Sequence, residues 1–149
     1  RKAYAAWRSQ CAGLHGCSYY YPDDYYAFTL ANEDWLEDYA LFMACKRHFG
    51  MRSWTEWEDE DIRLRRSPEV LEQYRTLLRE DVELFTYIQY LFFRQWEALR
   101  TYLHGKDIHV IGDLPIYVAM DSADVWAEPE NRWKHIVLAK RHLEQYMIR

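Results

Sequence analysis

Ile108-His109-Val110-Ile111-Gly112-Asp113-Leu114-Pro115-Ile116-Tyr117-Val118-Ala119, continued by Met120 and then Asp121-Ser122-Ala123-Asp124-Val125-Trp126, is the stretch on which the fold turns. Ile108 to Ile111 is a short β-branched run with Gly105 before it and Gly112 after it, which reads as a buried strand. Asp113 follows at the strand's end, then Pro115 and a second apolar run from Ile116 to Ala119. A helix, a strand and a carboxylate just past the strand's carboxyl end are the parts of one α/β unit. In barrel enzymes that is where the chemistry is placed.

Upstream the pattern is helical. Ser67-Pro68-Glu69 is a start signal, Ser as the cap and Pro at the first helical position. From Val70 through Leu71, Tyr74, Leu77, Leu78, Val82, Phe85, Ile88, Phe92, Trp96, Leu99 and Leu103 the apolar residues keep helical spacing until Gly105. As one straight helix this would exceed about 50 Å, so a bend or break is expected. Trp54 and Trp57 would share a face of a short helix, followed by Glu58-Asp59-Glu60-Asp61, which reads as a solvated surface rather than a metal site. A further helix is predicted from a cap at Asn32 to about Phe49, ended by Gly50, with Trp35, Leu36, Tyr39, Phe42 and Met43 on its core face. Before it, Ser18 to Tyr26 reads as a turn-rich connector whose tyrosines lie on a neighbouring surface or form an aromatic platform for a ligand. Residues 1–12 carry a weak helical pattern through Tyr4, Trp7 and Cys11. Trp133, Ile136, Val137, Leu143, Tyr146 and Met147 predict a terminal helix.

The chain has 149 residues, the size of about one domain. Half are apolar and only 5 are Gly and 4 Pro, which excludes disordered and collagen-like classes. Its aromatic content, 17%, is more than a core of this size needs. A net charge of −5 without a basic block argues against nucleic acid as a partner. No run approaches the roughly 18 apolar residues of a membrane span, and the start lacks the apolar region of a signal peptide, so the default expectation is a cytoplasmic protein. Three cysteines are an odd number and fit a reducing compartment. Cys11, His15 and Cys17 form a C-x3-H-x-C cluster that zinc would need a fourth ligand to use, which makes an independent zinc-binding domain a weak reading.

Gly112 to Ala119 together with Asp121 to Trp126 resembles the first signature region of the amylomaltases, the 4-α-glucanotransferases or disproportionating enzymes of the α-amylase clan. Trp35-Leu36-Glu37-Asp38-Tyr39-Ala40-Leu41-Phe42-Met43-Ala44, the Trp54-x-x-Trp57 pair and Leu91-Phe92-Phe93-Arg94-Gln95-Trp96 are similar to the same family in order and spacing, so the likeness covers roughly residues 25–130. The resemblance implies a parent (β/α)8 TIM barrel with a helical insertion subdomain, and a mostly α segment here. Residues 1–105 would be mainly the helical insertion region, 106–130 a barrel strand with its following loop, and 131–149 a terminal helix that does not look like the family. It implies transfer of α-1,4-glucan units between maltooligosaccharides by a retaining covalent mechanism, in which two carboxyl groups stand about 5–5.5 Å apart. No metal or organic cofactor is implied, and the partner is a maltooligosaccharide or starch-like glucan.

The family's catalytic carboxylates lie in later signature regions, so no catalytic residue is expected in this segment, which reads as an amino-proximal fragment or truncated product and should not catalyse transfer alone. Asp113 matches the aspartate that hydrogen-bonds the sugar in the donor subsite; its alternative role is to cap the following turn. Tyr117 and Trp126 either line the pocket or pack. Asp121 and Asp124 read as local caps around Ser122, and Trp35 and Trp96 as core. The rival reading is a non-catalytic helical module that binds glucan or a protein through its aromatic surface. A lone barrel strand lacks the flanking partners that parallel strands need. In isolation Ile108 to Ala119 is therefore expected to be irregular, poorly ordered or paired with another chain, with self-association through uncovered apolar surface.

Overall fold

Helix α3 (Glu33–His48) is the element around which the others are arranged, because it is buried along more of its circumference than a single stripe requires. Leu36, Ala40, Leu41, Phe42, Ala44 and Cys45 are all buried, whereas Trp35, Tyr39 and Met43 on the predicted face are half-buried. Glu33 and Asp34 in its first turn and Lys46, Arg47 and His48 in its last complement the helix dipole. The structure, a computed structural model, describes residues 1–11, 21–65, 67–111 and 119–128. Within them the regular structure is entirely helical: α1 (Lys2–Cys11), α2 (Asp23–Ala31), α3, a 3-10 turn (Trp54–Glu56), α4 (Glu60–Arg63), α5 (Pro68–Leu77), α6 (Arg79–His104) and α7 (Ala123–Ala127).

Two apolar clusters hold these elements together. The first gathers Leu41, Phe42, Ala44 and Cys45 of α3 with Trp54, Trp57, Ile62, Leu78, Val125 and Trp126. The second is aromatic and joins α1, α2 and α6 through Tyr4, Tyr25, Leu84, Tyr87 and Tyr90, with Trp7 between Tyr21 and Tyr87 at ring-centroid distances of 5.2 and 4.4 Å. Its phenols keep their hydroxyls satisfied on carboxylates: Tyr4 donates to Glu83 at 2.8 Å and Tyr90 to Asp24 at 2.6 Å. Much of the aromatic surplus is thus consumed in helix packing.

The long periodic stretch is broken at one residue. Leu78 (φ −106°, ψ 20°) ends α5 and precedes α6, its N–H donating to Tyr74 and its carbonyl accepting from Asp81 and Val82. The break lets Val70, Leu71 and Tyr74 on one side and Val82 and Phe85 on the other reach the same core. At the start of α5 the Ser67 hydroxyl accepts from the Val70 N–H at 3.4 Å with Pro68 in the first turn, as its sequence predicts.

Several local expectations are corrected. Asn32 does not cap α3 through its side chain; its Oδ1 accepts from Trp35 Nε1 at 3.1 Å and its Nδ2 donates to the Phe28 carbonyl at 2.8 Å. It is a buried splice between α2 and α3. The segment read as a connector becomes helical from Asp23, because Pro22 followed by two first-turn carboxylates is itself a helix start; residues 18–20 lie outside the described residues. Ile108 to Ile111 is not a buried strand: the four residues have no regular structure, and Ile111 is 94% exposed. No strand lies beside it among the described residues, which agrees with the irregular course expected of this run in isolation. The terminal helix expected beyond residue 130 lies outside the described residues.

Gly50 closes α3 at φ 69°, a left-handed conformation costly for any residue with a Cβ, and nothing stands within 4 Å of where that Cβ would be. Gly50→Ala is therefore expected to cost about 1–2 kcal/mol through the backbone alone, measured by urea denaturation. A loss below about 0.3 kcal/mol would show that the turn relaxes.

Candidate functional site

The candidate site is the turn and short helix after the apolar run, residues 119–128, and what holds them. Three donors from distant parts of the chain converge on two consecutive residues. Lys46 Nζ, on the last turn of α3, donates to Asp121 Oδ2. The Trp54 backbone N–H donates to Asp121 Oδ1 at 3.3 Å, and Trp54 Nε1 donates to the Met120 carbonyl at 2.8 Å. One residue on, the Ser122 hydroxyl accepts from the Val125 N–H at 3.3 Å and starts α7, with Asp124 in its first turn. Ser122, rather than the aspartates beside it, is the cap.

Trp126 fixes the far end. It is 1% exposed, its Nε1 donates to the Ile62 carbonyl at 3.1 Å, and its ring lies 5.7 Å from Phe42 and 5.8 Å from Trp57. The Arg65 guanidinium sits over the same ring at 4.6 Å while donating to Asp38 Oδ1 at 2.8 Å. Of the two roles left open for Trp126, the structure places it among packing residues. Asp113 and Tyr117 lie in residues 112–118, outside the described residues.

The other candidate groups are committed to structure. Asp59 of the acidic run accepts from the Asp61 and Ile62 N–H groups to start α4, and from the Tyr74 hydroxyl at 2.7 Å. The Tyr74 bond, with the backbone donors, holds its carboxyl below the usual range. This contribution is complete at neutral pH and is lost as the pH falls through that lowered value. Burial pushes the Cys45 thiol up to about 12, so it is protonated and inert at neutral pH. Cys11 is buried and its thiol is likewise raised by burial, whereas His15 and Cys17 lie outside the described residues. Among the described residues no group of three His, Cys, Asp or Glu is placed to hold a metal ion. None of the described helices is long and apolar enough to cross a membrane.

Sequence reasoning missed Lys46 and Trp54 as partners of Asp121. The signal for Lys46 is its position one turn after Phe42 on the buried face of α3, where its side chain is only 14% exposed.

Comparison with known proteins places these elements in context. A family model described as 4-alpha-glucanotransferase matches residues 15–133. The 4-alpha-glucanotransferase of Clostridium butyricum is 46% identical over 109 residues, covering 72% of this chain and 22% of that protein. That of Synechocystis is 48% identical over 104 residues, covering 70% and 20%. Among solved structures, the amylomaltase from Streptococcus agalactiae in complex with acarbose superposes with a TM-score of 0.65 at 44% identity, over 70% of this chain and 21% of that one. The chain spans about a fifth of the length of these relatives.

Proposed function

The chain belongs to the 4-alpha-glucanotransferase family, and on that premise we propose that it is a segment of an enzyme that moves α-1,4-glucan units between maltooligosaccharides. The observation that carries this reading is the match over residues 15–133, which takes in the α3 core, the Trp54–Trp57 turn and the Asp121–Trp126 anchor together. The reaction proceeds with retention: one carboxylate attacks the anomeric carbon while a second protonates the departing oxygen. The covalent glycosyl-enzyme is then opened by the 4-hydroxyl of an acceptor sugar instead of water. Both carboxylates belong to parts of the parent outside this segment, as does most of its (β/α)8 barrel.

Within the segment, Asp113 and Tyr117 serve as the substrate contacts and Trp126 supports them from the core. Residues 1–105 form the helical insertion and 106–130 a barrel strand with its loop. The exposure of Ile108 and Ile111 supports that division, since a β-branched run bare of neighbours is what a strand lacking its sheet presents. The family match stops at residue 133, which supports a different origin for the terminal stretch. Free Cys11 and Cys45 are compatible with a reducing, cytoplasmic setting.

Two measurements test this reading. The 149-residue chain incubated with maltotriose should release no glucose; disproportionation by the chain alone would overturn the placement of the catalytic carboxylates. A chimera carrying residues 15–133 in place of the matched part of the Clostridium butyricum enzyme should convert maltotriose to glucose and longer oligosaccharides. A chimera that folds and stays inactive rejects the assignment.

A further inference from the structure

From the convergence of Lys46 and Trp54 on the Met120–Asp121 turn, we infer that Lys46 and Asp121 are positioning residues for glucan binding, acting through the substrate contacts just upstream. The inference rests on the transferase reading above and names the part of this chain that makes its binding site rigid.

Apolar packing already secures α7, since Val125 and Trp126 are buried in the α3 core. The three hydrogen bonds at Met120 and Asp121 are therefore not needed to keep the helix in place. What they add is direction. Asp121 presents one oxygen to α3 and the other to the 3-10 turn, and the adjacent carbonyl takes the Trp54 indole, so the peptide leading into α7 is fixed in position and in rotation. A packed apolar side chain does not supply that constraint.

The chemistry of the pair points the same way. Lys46 lies on the core flank of α3 and its side chain is 14% exposed, against 35% for Asp121. A half-buried ion pair of this kind is a poor source of stability, because well-packed apolar residues in its place are often neutral or stabilising. Its use is specificity of arrangement. Tyr117 lies four residues before Asp121, and four residues reach at most about 14 Å. The anchor is thus within a short tether of a proposed substrate contact, and loosening it raises the conformational freedom that binding must remove.

The test uses the active chimera, so that failure of the transferase reading shows first, in the unsubstituted protein, and takes this inference with it. Lys46→Met should raise the KM for maltotriose about tenfold or more with a smaller change in kcat. It leaves Asp121 half-buried without its cation, so the melting temperature should also fall. Lys46→Arg, which keeps the charge and a donor, should stay within about twofold of the parent KM. In the double variant Lys46→Met/Asp121→Asn no charge is left unpaired, so the melting temperature should recover while KM remains high. The inference is overturned if KM returns together with the melting temperature in the double variant, or if Lys46→Met leaves KM unchanged. Should Lys46→Met fail to fold, the double variant and Lys46→Arg decide alone.

Discussion

Trp126→Ala is expected to lower the unfolding free energy by about 3–5 kcal/mol, the range for emptying a fully packed aromatic site. Three losses coincide at this residue. The ring is 1% exposed and meets Phe42, Trp57 and the Arg65 guanidinium, so truncation leaves a cavity faced by two aromatic rings and a cation. The Ile62 carbonyl loses its indole donor, which by itself costs about 1–3 kcal/mol if the group stays buried. Arg65 is held at φ 49°, a strained conformation for a residue with a Cβ, and loses the ring on which it rests. Trp126→Phe separates these causes, because it keeps most of the ring and forfeits the hydrogen bond; about half the loss is expected. Urea denaturation followed by circular dichroism measures both. A loss under about 1 kcal/mol for the alanine variant would mean that α7 contributes little to the core.

The contrast between Trp126 and Ser67 shows which features of this fold were legible in the sequence. Ser67-Pro68-Glu69 and the periodic run after it predict α5 because capping and helical spacing are local, and the structure has the cap where expected. The break at Leu78 was foreseeable only as a length argument; its place is set by contacts of both flanks with α3. Asn32 shows the opposite error, since a residue with the right chemistry for a cap found better partners in Trp35 and the Phe28 carbonyl. Ile108 to Ile111 has a strand's composition, yet strand formation is a property of the sheet and not of the run. The anchor at Asp121 was invisible for a related reason. Its partners lie 67 and 75 residues away, and no local pattern records that Lys46 and Trp54 face it.

Asp113 is where the sequence and the proposed chemistry meet, and its substitution should have the larger effect on activity. In the active chimera, Asp113→Ala is expected to lower kcat/KM for maltotriose about 10- to 150-fold. That is the loss of a hydrogen bond to a charged acceptor, about 1.5–3 kcal/mol, converted at roughly 1.4 kcal/mol per tenfold. A carboxylate has two oxygens with free lone pairs, so it can take adjacent sugar hydroxyls at once, and loss of both bonds would place the effect at the upper end. The alternative role, a cap on the turn that follows, predicts another outcome. Asn caps about as well as Asp but is a neutral acceptor, so Asp113→Asn preserves the turn while weakening the bond to sugar. A substrate contact therefore predicts that Asp113→Asn keeps the parent melting temperature and still loses most of the activity that Asp113→Ala loses. A cap predicts parent-like kcat/KM for Asp113→Asn, with both melting temperature and activity reduced only in Asp113→Ala. That second pattern would remove Asp113 from the substrate site and leave Tyr117, within the same short tether of the Lys46–Asp121 anchor, as the contact to test next.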